Sequence, residues 1–263
     1  MFHAVRPPAV AGMFYPQDAL ELAGDINAML ASAPEPHVSP KALIVPHAGY
    51  IYSGPIAASA YAALAARRDE IHRVVLMGPA HRVAIDGLAV PNADAFATPL
   101  GIVEIDHPAV AAVLALSQVK RSDAVHANEH SLEVQLPFLQ SILGDFKVVP
   151  LAVGRVTVAE VAEVLELLWG GPETLIVVST DLSHYYPNAE ARRLDRATAD
   201  DILALRRLFS PEQACGATPV NGLLEVARRK GLHPQLLDLR NSGDTAGDRS
   251  RVVGYGAFAF AEA

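Results

Sequence analysis

Ala42-Leu-Ile-Val-Pro46, followed at once by His47, is the stretch of sequence that decides the fold. A short apolar run that is rich in β-branched residues, ends in Gly or Pro and leads into a polar residue is typical of a buried central strand. A second such run, Val74-Val-Leu-Met-Gly-Pro79, leads into His81. Because open α/β sheets bind ligands at the carboxyl ends of their strands, the sequence predicts two imidazoles at that edge of a sheet.

The rest of the chain alternates predicted strands and helices nearly from end to end. Further strands are predicted over 87–92, 102–106, 148–153, 174–180, 235–239 and 252–260, and helices over 17–33, 53–67, 106–116, 129–143, 158–169, 189–208 and 218–230. This alternation, without repeats or a linker, predicts a single α/β domain over residues 1–263, with a mainly parallel (mixed) central sheet flanked by helices. The last strand is the one that we expect to be antiparallel.

Composition excludes several classes of protein. The 263 residues carry a net charge of −8, with 19% charged and 51% hydrophobic residues, which is typical of a globular protein and argues against a nucleic-acid partner. The single cysteine, Cys215, cannot form an intrachain disulfide. Because the start of the chain lacks a signal-peptide pattern and no apolar run approaches the roughly 20 residues that span a bilayer, we expect a cytoplasmic protein without membrane segments.

His47, His81 and Cys215 are the candidate metal ligands that the strand pattern suggests. Two imidazoles at one sheet edge and one thiol from far along the chain are ligands that transition metals prefer. Each residue also has an ordinary interpretation, because either histidine can be a hydrogen-bonded loop residue and a lone cysteine is usually a small buried apolar side chain. Cys215 precedes a predicted helix start, a position that favours thiolate.

Two further clusters of polar residues carry candidate chemistry. Asp181 and His184 follow the strongest predicted strand, and at this spacing the carboxylate can fix the imidazole tautomer, as in a general base. The alternative is that Asp181 caps the next helix. Glu129 and Glu133 are predicted to share one helix face with His130 beside them. They form either an acid cluster behind the site or an acidic helix N-terminus.

Segments that match a known family occur along the whole chain, in the same order as in that family. They are Arg6-Pro-Pro-Ala-Val-Ala-Gly-Met-Phe-Tyr-Pro16, Pro46-His-Ala-Gly-Tyr50, Tyr52-Ser-Gly54, Gly78-Pro-Ala-His81, Glu129-His-Ser-Leu-Glu133, Gln135-Leu-Pro-Phe138, Ser179-Thr-Asp-Leu-Ser-His184, Cys215-Gly216 with Pro219, Ser242-Gly-Asp-Thr-Ala-Gly-Asp248 and Val253-Gly-Tyr255. With these segments the chain resembles the Memo-like family, whose bacterial and archaeal members are called AmmeMemoRadiSam system protein B. That family is similar in fold to the class III extradiol ring-cleaving dioxygenases, so the resemblance implies a dioxygenase-like α/β domain.

The resemblance also implies roles for particular residues. The positions that match the family's metal ligands are His47, His81 and Cys215. The position that matches the dioxygenases' acid–base histidine is His184, with Asp181 nearby. The site is therefore expected to combine metal binding with proton transfer.

Three further residues are expected to line the pocket, namely His130, Tyr50 and Asp244. For Asp244, in the glycine-rich loop, a turn role is the alternative. The dioxygenases hold Fe(II) with two histidines and a carboxylate, whereas the matching third position here is Cys215. The resemblance implies Fe(II) first. Because thiolate is softer than carboxylate, Cu or Zn is the alternative ion.

The predicted function is that of a mononuclear non-haem metal protein, an oxidoreductase that acts on a small phenolic or other oxygen-bearing substrate. One alternative is a cysteine-nucleophile hydrolase that uses Cys215, His184 and Asp181. Another is a non-catalytic module that binds a peptide or a small ligand. The family's bacterial association with an AMMECR1-like protein and a radical-SAM protein implies a shared pathway.

Overall fold

The computed structural model describes residues 4–262 except Pro36, Phe209 and Pro211. Within these residues the strands are β1 (Val5–Arg6), β2 (Ala42–Val45), β3 (Arg73–Pro79), β4 (Leu88–Val90), β5 (Ala95–Thr98), β6 (Gly101–Ile105), β7 (Val119–Arg121), β8 (Lys147–Val153), β9 (Thr174–Ser179), β10 (His184–Tyr186), β11 (His233–Asn241) and β12 (Val252–Ala261). The helices are α1 (Ala19–Ser32), α2 (Tyr50–Tyr61), α3 (His107–Val113), α4 (Asp123–Ala127), α5 (Leu136–Ile142), α6 (Val158–Leu167), α7 (Asn188–Leu203), α8 (Ala217–Lys230) and α9 (Ser242–Thr245), with 3₁₀ turns over Ala62–Arg67 and Glu133–Gln135.

The strands of the described residues join one mixed sheet whose centre is parallel. Its central order is β6-β8-β3-β9-β2, and each of these strands runs parallel to the next. β12 pairs antiparallel with β2, and β10 and β11 pair antiparallel with β12. The α/β class with a mainly parallel, mixed sheet is therefore confirmed, and so is the antiparallel last strand.

The central strands are apolar because helices cover the sheet. Every residue of β2 and β9 is buried, and so is all of β3 after Arg73. α2 packs on β12 and α1, whereas α8 packs on β3, β9 and α6. Strands that are buried on both faces have continuous apolar runs rather than alternating ones, which is why the sequence predicted them. Among the described residues, no helix combines the length and the apolar character needed to cross a bilayer.

The order of three neighbouring strands gathers polar side chains at one edge of the sheet. β9 lies between β3 and β2 and is parallel to both. The segments that follow the carboxyl ends of β3, β9 and β2 carry His81, Asp181 and His47, in that order. These three residues therefore leave the same edge of the sheet from adjacent strands.

α2 begins earlier than the sequence predicts. The prediction was a start at Ser53 with Pro55 near the first turn, but the helix begins at Tyr50 and Pro55 lies inside it. The backbone N–H groups of Tyr52 and Ser53 both donate to the Gly49 carbonyl, at 2.8 and 3.0 Å. The first turn is thus closed before the proline is reached, so its missing N–H does not prevent the helix from starting.

The continuous helix predicted over 129–143 is wrong. Residues 129–132 form an irregular turn, and the α-helix begins only at Leu136. The Glu129 carboxylate accepts the backbone N–H groups of the next two residues, both at 2.9 Å, which holds the turn in place of a helix. Pro137 then lies in the first turn of the helix, where an N–H is not needed.

Candidate metal centre

Three histidines converge beyond the carboxyl ends of the central strands. The ligand atoms of His47, His81 and His130 all lie within 4.8 Å of one another. The ring centroids are 5.1 Å apart for His47 and His81, 5.4 Å for His47 and His130, and 4.7 Å for His81 and His130. Such a cluster can hold one metal ion.

The tautomer of His47 is fixed by a chain of hydrogen bonds. The Ser179 hydroxyl donates to the Ser131 carbonyl at 2.7 Å and accepts from Gln135 Nε2 at 2.9 Å. Because its single proton is used, the hydroxyl can only accept from His47 Nδ1, at 2.9 Å, which leaves Nε2 of the neutral ring without a proton. Burial, followed by the charge of His81, lowers the pKa of His47 to about 3, so the ring is neutral, as a ligand must be.

Glu129 fixes the tautomer of His81 in the same sense. Its carboxylate lies 3.0 Å from His81 Nδ1 and also accepts the His81 backbone N–H. Burial alone would raise the pKa of Glu129, but the hydrogen bonds from His81 and from the Ser131 backbone hold it at about 2. An ionised carboxylate can only accept, so Nδ1 carries the proton and Nε2 is free. Carboxylates that orient metal-binding histidines in this way raise the basicity of the ligand.

Gly78 lets the Glu129 turn lie close to the end of β3. A Cβ at this position would be 2.8 Å from Ser131 Oγ and 3.0 Å from a methyl group of Leu132. The Ser131 hydroxyl donates to the Pro79 carbonyl at 2.9 Å, which ties the turn to the strand. A glycine is therefore required here by the close approach of two segments, and that approach places Glu129 beside His81.

His130 has a buried nitrogen without a hydrogen-bond partner. Its Nδ1 lies 3.3 Å from the Glu129 carboxylate, but the geometry does not make a hydrogen bond. Burial, followed by the charge of His47, lowers the pKa of His130 to about 4, so this ring is also neutral. A buried polar atom without a partner costs about 1–3 kcal/mol. Three converging imidazoles, one of them incompletely satisfied, are the donor set that a divalent transition-metal ion fits.

Cys215 lies beside the histidine cluster without belonging to it. Its sulfur is 3.3 Å from His47 Nε2, but the group of mutually close ligand atoms among the described residues consists of the three histidines. A nitrogen at about 2.0–2.1 Å and a sulfur at about 2.3 Å from one ion are roughly 3.1–3.6 Å apart. The separation between Cys215 and His47 therefore fits two ligands of a single ion.

The Cys215 thiol is held by the backbone around Asp181. The Cys215 N–H donates to the Asp181 carbonyl at 3.2 Å, and the Asp181 N–H lies 3.4 Å from the sulfur. Burial, followed by the charge of Asp181, raises the pKa of the thiol to about 12. The thiol is therefore protonated at neutral pH, and binding to an ion would release a proton. On its other side it lines a second cleft of about 390 Å³.

Asp181 and His184 lie near one another, but they are not paired as a base and its orienting acid. Asp181 accepts the backbone N–H of His47 at 2.7 Å, and burial raises its pKa. His184 Nδ1 donates to the Leu182 carbonyl at 2.8 Å. The expectation that Asp181 orients His184 is therefore corrected: a main-chain carbonyl orients this ring, because the tight turn brings that carbonyl within reach first.

A cleft of about 620 Å³ opens over the histidines. The described residues that line it are Phe14, His47, Ala48, Gly49, Tyr52, His81, His130, Asp181, His184, Tyr185, Ser242, Gly247, Asp248, Arg251, Val253 and Tyr255. Two residues expected to line the pocket lie elsewhere. The Tyr50 hydroxyl is buried against the Val134 carbonyl, at 2.6 Å. Asp244 accepts the Asn241 N–H at 3.1 Å and pairs with Arg192, so it stabilises its own turn.

Sequence reasoning missed several residues of the site. Ser179 could have been found, because it ends the strongest strand at the same sheet edge as the histidines. Gln135 had no local signal, since it reaches the site from the 3₁₀ turn. Tyr185 and Arg251 lie in segments whose approach to the cleft depends on the pairing of β10 with β12.

Comparison with known proteins places the chain in a family. The sequence profile described as Memo-like protein matches residues 6–259. The chain belongs to the Memo-like family. A MEMO1 family protein of Aquifex aeolicus is 40% identical, covering 95% of this chain and 97% of the relative. Another of Ignicoccus hospitalis is 39% identical, covering 97% and 98%.

The family comparison agrees with the resemblance read from the sequence segments. A third relative, the MEMO1 family protein MK0963 of Methanopyrus kandleri, is 37% identical and covers 97% of this chain and 98% of its own length. Among solved structures, the uncharacterized protein JW3007 of Escherichia coli K12 is similar with a TM-score of 0.49 and 12% identity, covering 82% of this chain and 98% of that one. The names of these proteins state no reaction.

Proposed function

We propose that this chain is a mononuclear non-haem metal protein, with Fe(II) as its ion, that acts as a dioxygenase-like oxidoreductase on a small phenolic or other oxygen-bearing substrate. The observation that carries the proposal is the convergence of three imidazoles whose ligand atoms lie within 4.8 Å of one another. Two of them, His47 and His81, have partners at Nδ1 that leave Nε2 free. The adjoining cleft, of about 620 Å³, has room for a small aromatic ring with its substituents.

The proposed ligands are His47, His81 and Cys215, with His130 close enough to join them. Imidazole suits iron, and the added thiolate makes Cu or Zn the alternative ions. When bound, Fe(II) would supply one-electron chemistry and open coordination positions for the substrate. Every other part of the reaction falls to the side chains around the cleft.

His184 is the proposed acceptor of the substrate's proton. In the neutral ring, donation from Nδ1 to the Leu182 carbonyl leaves Nε2 as the atom that accepts. Since His184 lines the cleft, a phenolic hydroxyl bound there can transfer its proton to this nitrogen. Asp181 is proposed to hold His47 in place: its carboxylate accepts the His47 backbone N–H and lies 3.9 Å from Nε2 of that ring.

Metal analysis tests the site directly. Protein purified without oxygen and loaded with Fe(II) should hold about one ion per chain by mass spectrometry. His47→Ala and His81→Ala should abolish this binding, because each removes a ligand whose Nε2 is free. His233→Ala is the matched control, since that exposed histidine lies on β11. Unchanged metal content in both His47→Ala and Cys215→Ala would reject the site.

The third ligand is tested by substituting Co(II), whose absorption spectrum reports a bound thiolate. If Cys215 binds the ion, Co(II)-loaded protein shows a sulfur-to-metal charge-transfer band that Cys215→Ser removes. If His130 binds instead, the band is absent and His130→Phe weakens binding. The two variants thus separate the ligand set implied by the family resemblance from the set of three histidines.

Catalysis is tested by oxygen uptake. The iron-loaded protein should consume O₂ with a catechol, and His184→Gln should slow this reaction more than it weakens binding of the catechol, because it removes the proton acceptor. Binding of the catechol without O₂ consumption would favour the non-catalytic binding module. Binding that is also insensitive to metal removal would exclude a role for the ion in recognition.

A cysteine-nucleophile hydrolase receives less support. The imidazole in contact with the Cys215 sulfur is His47, and burial raises the pKa of this thiol to about 12. A nucleophilic cysteine instead needs a lowered pKa. Slow labelling of the metal-free protein by iodoacetamide at pH 7 is therefore expected, and fast labelling would favour the hydrolase.

The proposed small-molecule substrate belongs to a pathway that this chain would share with an AMMECR1-like protein and a radical-SAM protein. The support for this part is the family resemblance. This part of the proposal would be strengthened if the three proteins co-purified from a host that expresses them together and did not do so when their genes are separated. Normal turnover of the substrate in a strain that lacks both other proteins would count against it.

A further inference from the structure

Tyr185 is held in a backbone conformation that its side chain disfavours. Its φ angle is 65°, in the left-handed region, which costs a residue with a Cβ about 1 kcal/mol or more. His184 pairs with Val253 and Tyr186 pairs with Val252, so Tyr185 is the extra residue of a β-bulge between β10 and β12. Glycine is the usual residue at a left-handed bulge position. The tyrosine is therefore not explained by local stability.

The Tyr185 side chain gains little from burial either. It is 62% exposed although it is a large aromatic ring, and it lines the cleft beside His184. Bulges next to active sites re-aim a side chain. The strain and the exposure together indicate that this ring is kept for contact with a ligand.

Arg251 stacks on the Tyr185 ring. Its guanidinium carbon lies 5.2 Å from the ring centroid, and Arg251 also lines the cleft. The neighbouring arginines are engaged: Arg192 pairs with Asp244, and Arg249 donates to the Gly243 carbonyl. Among the described residues, the Arg251 side chain makes neither an ion pair nor a hydrogen bond to a main-chain carbonyl. A guanidinium stacked by its face keeps its N–H groups free at the edge.

We propose that Tyr185 and Arg251 form a recognition element for the carboxylate of an aromatic acid. The free edge of a guanidinium matches a carboxylate in a two-bond geometry. The remaining walls of the cleft include the rings of Phe14 and Tyr52, which suit a flat ligand body. This inference rests on the proposed function in one respect: it names as substrate a phenol that also carries a carboxylate.

Two acidic side chains of the cleft, Asp181 and Asp248, oppose an anion and limit where it can bind. Asp248 lines the same cleft, and its carboxylate accepts the Ser250 N–H. The carboxylate of the ligand is therefore confined to the Arg251 side of the opening. Asp248→Asn should strengthen binding of an anionic ligand slightly and leave a neutral one unaffected.

The test compares benzoate with benzamide, which have nearly the same shape and differ in charge. Titration calorimetry on the metal-free full chain keeps this measurement independent of the proposed metal chemistry. Benzoate should bind at least about tenfold more tightly, since hydrogen bonds to charged groups are the stronger ones. Arg251→Gln should remove this preference, and Arg251→Lys should restore part of it. Equal binding of the two probes, no binding of benzoate, or a preference that survives in Arg251→Gln would overturn the inference.

Tyr185→Gly separates the role of the ring from the stability of the bulge. Glycine adopts this φ angle without strain, so the variant should be as stable as the wild type in urea unfolding while benzoate binds several-fold more weakly. Unchanged benzoate affinity in this variant would remove Tyr185 from the proposal. The proposed function is tested separately, by whether 3,4-dihydroxybenzoate gains affinity over benzoate when the metal is added. Absence of that gain contradicts the metal site and leaves the carboxylate element standing.

Discussion

Glu129 and Glu133 are two buried carboxylates only four positions apart, yet they serve different parts of the molecule. Glu129 accepts from the ring and the backbone of His81, at the histidine cluster. Glu133 pairs with Arg6 and accepts the Tyr15 hydroxyl at 2.5 Å, in the N-terminal segment. One carboxylate orients a candidate ligand, whereas the other fastens a segment of chain.

The two carboxylates are nevertheless linked through one guanidinium. Arg6, which pairs with Glu133, also donates to the Glu129 carbonyl at 2.8 Å. The segment that it fastens carries Phe14, whose ring lies 4.9 Å from the His130 ring and lines the cleft. The site thus has two separate requirements. Glu129 keeps an imidazole correctly oriented, and Glu133 keeps the segment with Phe14 packed against the site.

The largest effect is expected from Glu133→Ala. This change leaves the Arg6 charge buried without its partner, which costs about 3–5 kcal/mol of unfolding free energy. Urea unfolding of the metal-free protein measures it. Glu104→Gln, which breaks an exposed ion pair with Lys147, is the control and should cost less than about 1 kcal/mol. A similar small loss in both variants would show that the buried pair does not fasten the segment.

Asp195 is a third buried carboxylate, and its contacts differ from those of the other two. It accepts the Ser183 N–H at 2.9 Å, and its own burial raises its pKa to about 6 although the hydrogen bonds from Ser183, followed by the charge of His184, oppose the shift. Because the ordinary pKa is about 3.9, the folded protein binds this proton more tightly than the unfolded chain does. Its contribution to stability is therefore greatest when Asp195 is protonated and falls as the pH rises from about 4 to above 6.

Asp195→Asn should remove that part of the pH dependence. At pH 8 the variant is expected to be more stable than the wild type by about 1–3 kcal/mol, since the amide carries no charge to bury. At pH 4 the advantage should vanish. Urea midpoints of the metal-free proteins at pH 4, 6 and 8 measure the difference, with exposed Asp69→Asn as the control. Parallel pH profiles for Asp195→Asn and the wild type would contradict the expectation.

Glu129→Gln should weaken metal binding and should have a smaller effect on the packing of the N-terminal segment against the site. The amide is a poorer acceptor for His81 Nδ1–H and can rotate to present a donor, so the ring loses its fixed tautomer. Loss of such a partner typically costs 10–100-fold in metal affinity. Competition with a coloured chelator measures this. Glu133→Gln is the matched variant and should change metal affinity far less; equal losses would mean that the two carboxylates do not have separate roles.

The sequence predicted the parts of this arrangement that depend on local pattern. His47, His81 and Asp181 were placed at one sheet edge because apolar runs identify buried strands and parallel strands end together. The turn that carries Glu129 was missed because an acidic residue in this position is equally typical of a helix N-terminus. The turn is held locally by the Glu129 carboxylate, which accepts the next two N–H groups, and also by Arg6, far away in the chain, which donates to the main-chain carbonyl of Glu129. No pattern within residues 129–143 contains that contact.

The rim of the cleft was missed for a similar reason. The bulge at Tyr185 depends on its register with β12, which comes much later in the chain. Cys215 was a candidate ligand from the residues alone, and the family resemblance implied the same role; its position beside His47 follows from the packing of α8 on β9. Local propensity therefore predicts which strands deliver side chains, whereas the contacts that orient them come from segments distant in sequence.

The smallest effect is expected from Ser179→Ala, which acts on His47 as Glu129→Gln acts on His81. The hydroxyl is a neutral partner, and its loss leaves the His47 ring neutral and buried but free to exchange tautomers. Gln135 Nε2 keeps its bond to the Pro46 carbonyl at 2.9 Å, whereas the Ser131 carbonyl loses the hydrogen bond that Ser179 donates to it. A neutral hydrogen bond contributes about 1 kcal/mol, so metal affinity should fall less than tenfold, with Ser59→Ala as the control. A loss as large as that of Glu129→Gln would mean that tautomer choice matters more than the charge of the partner.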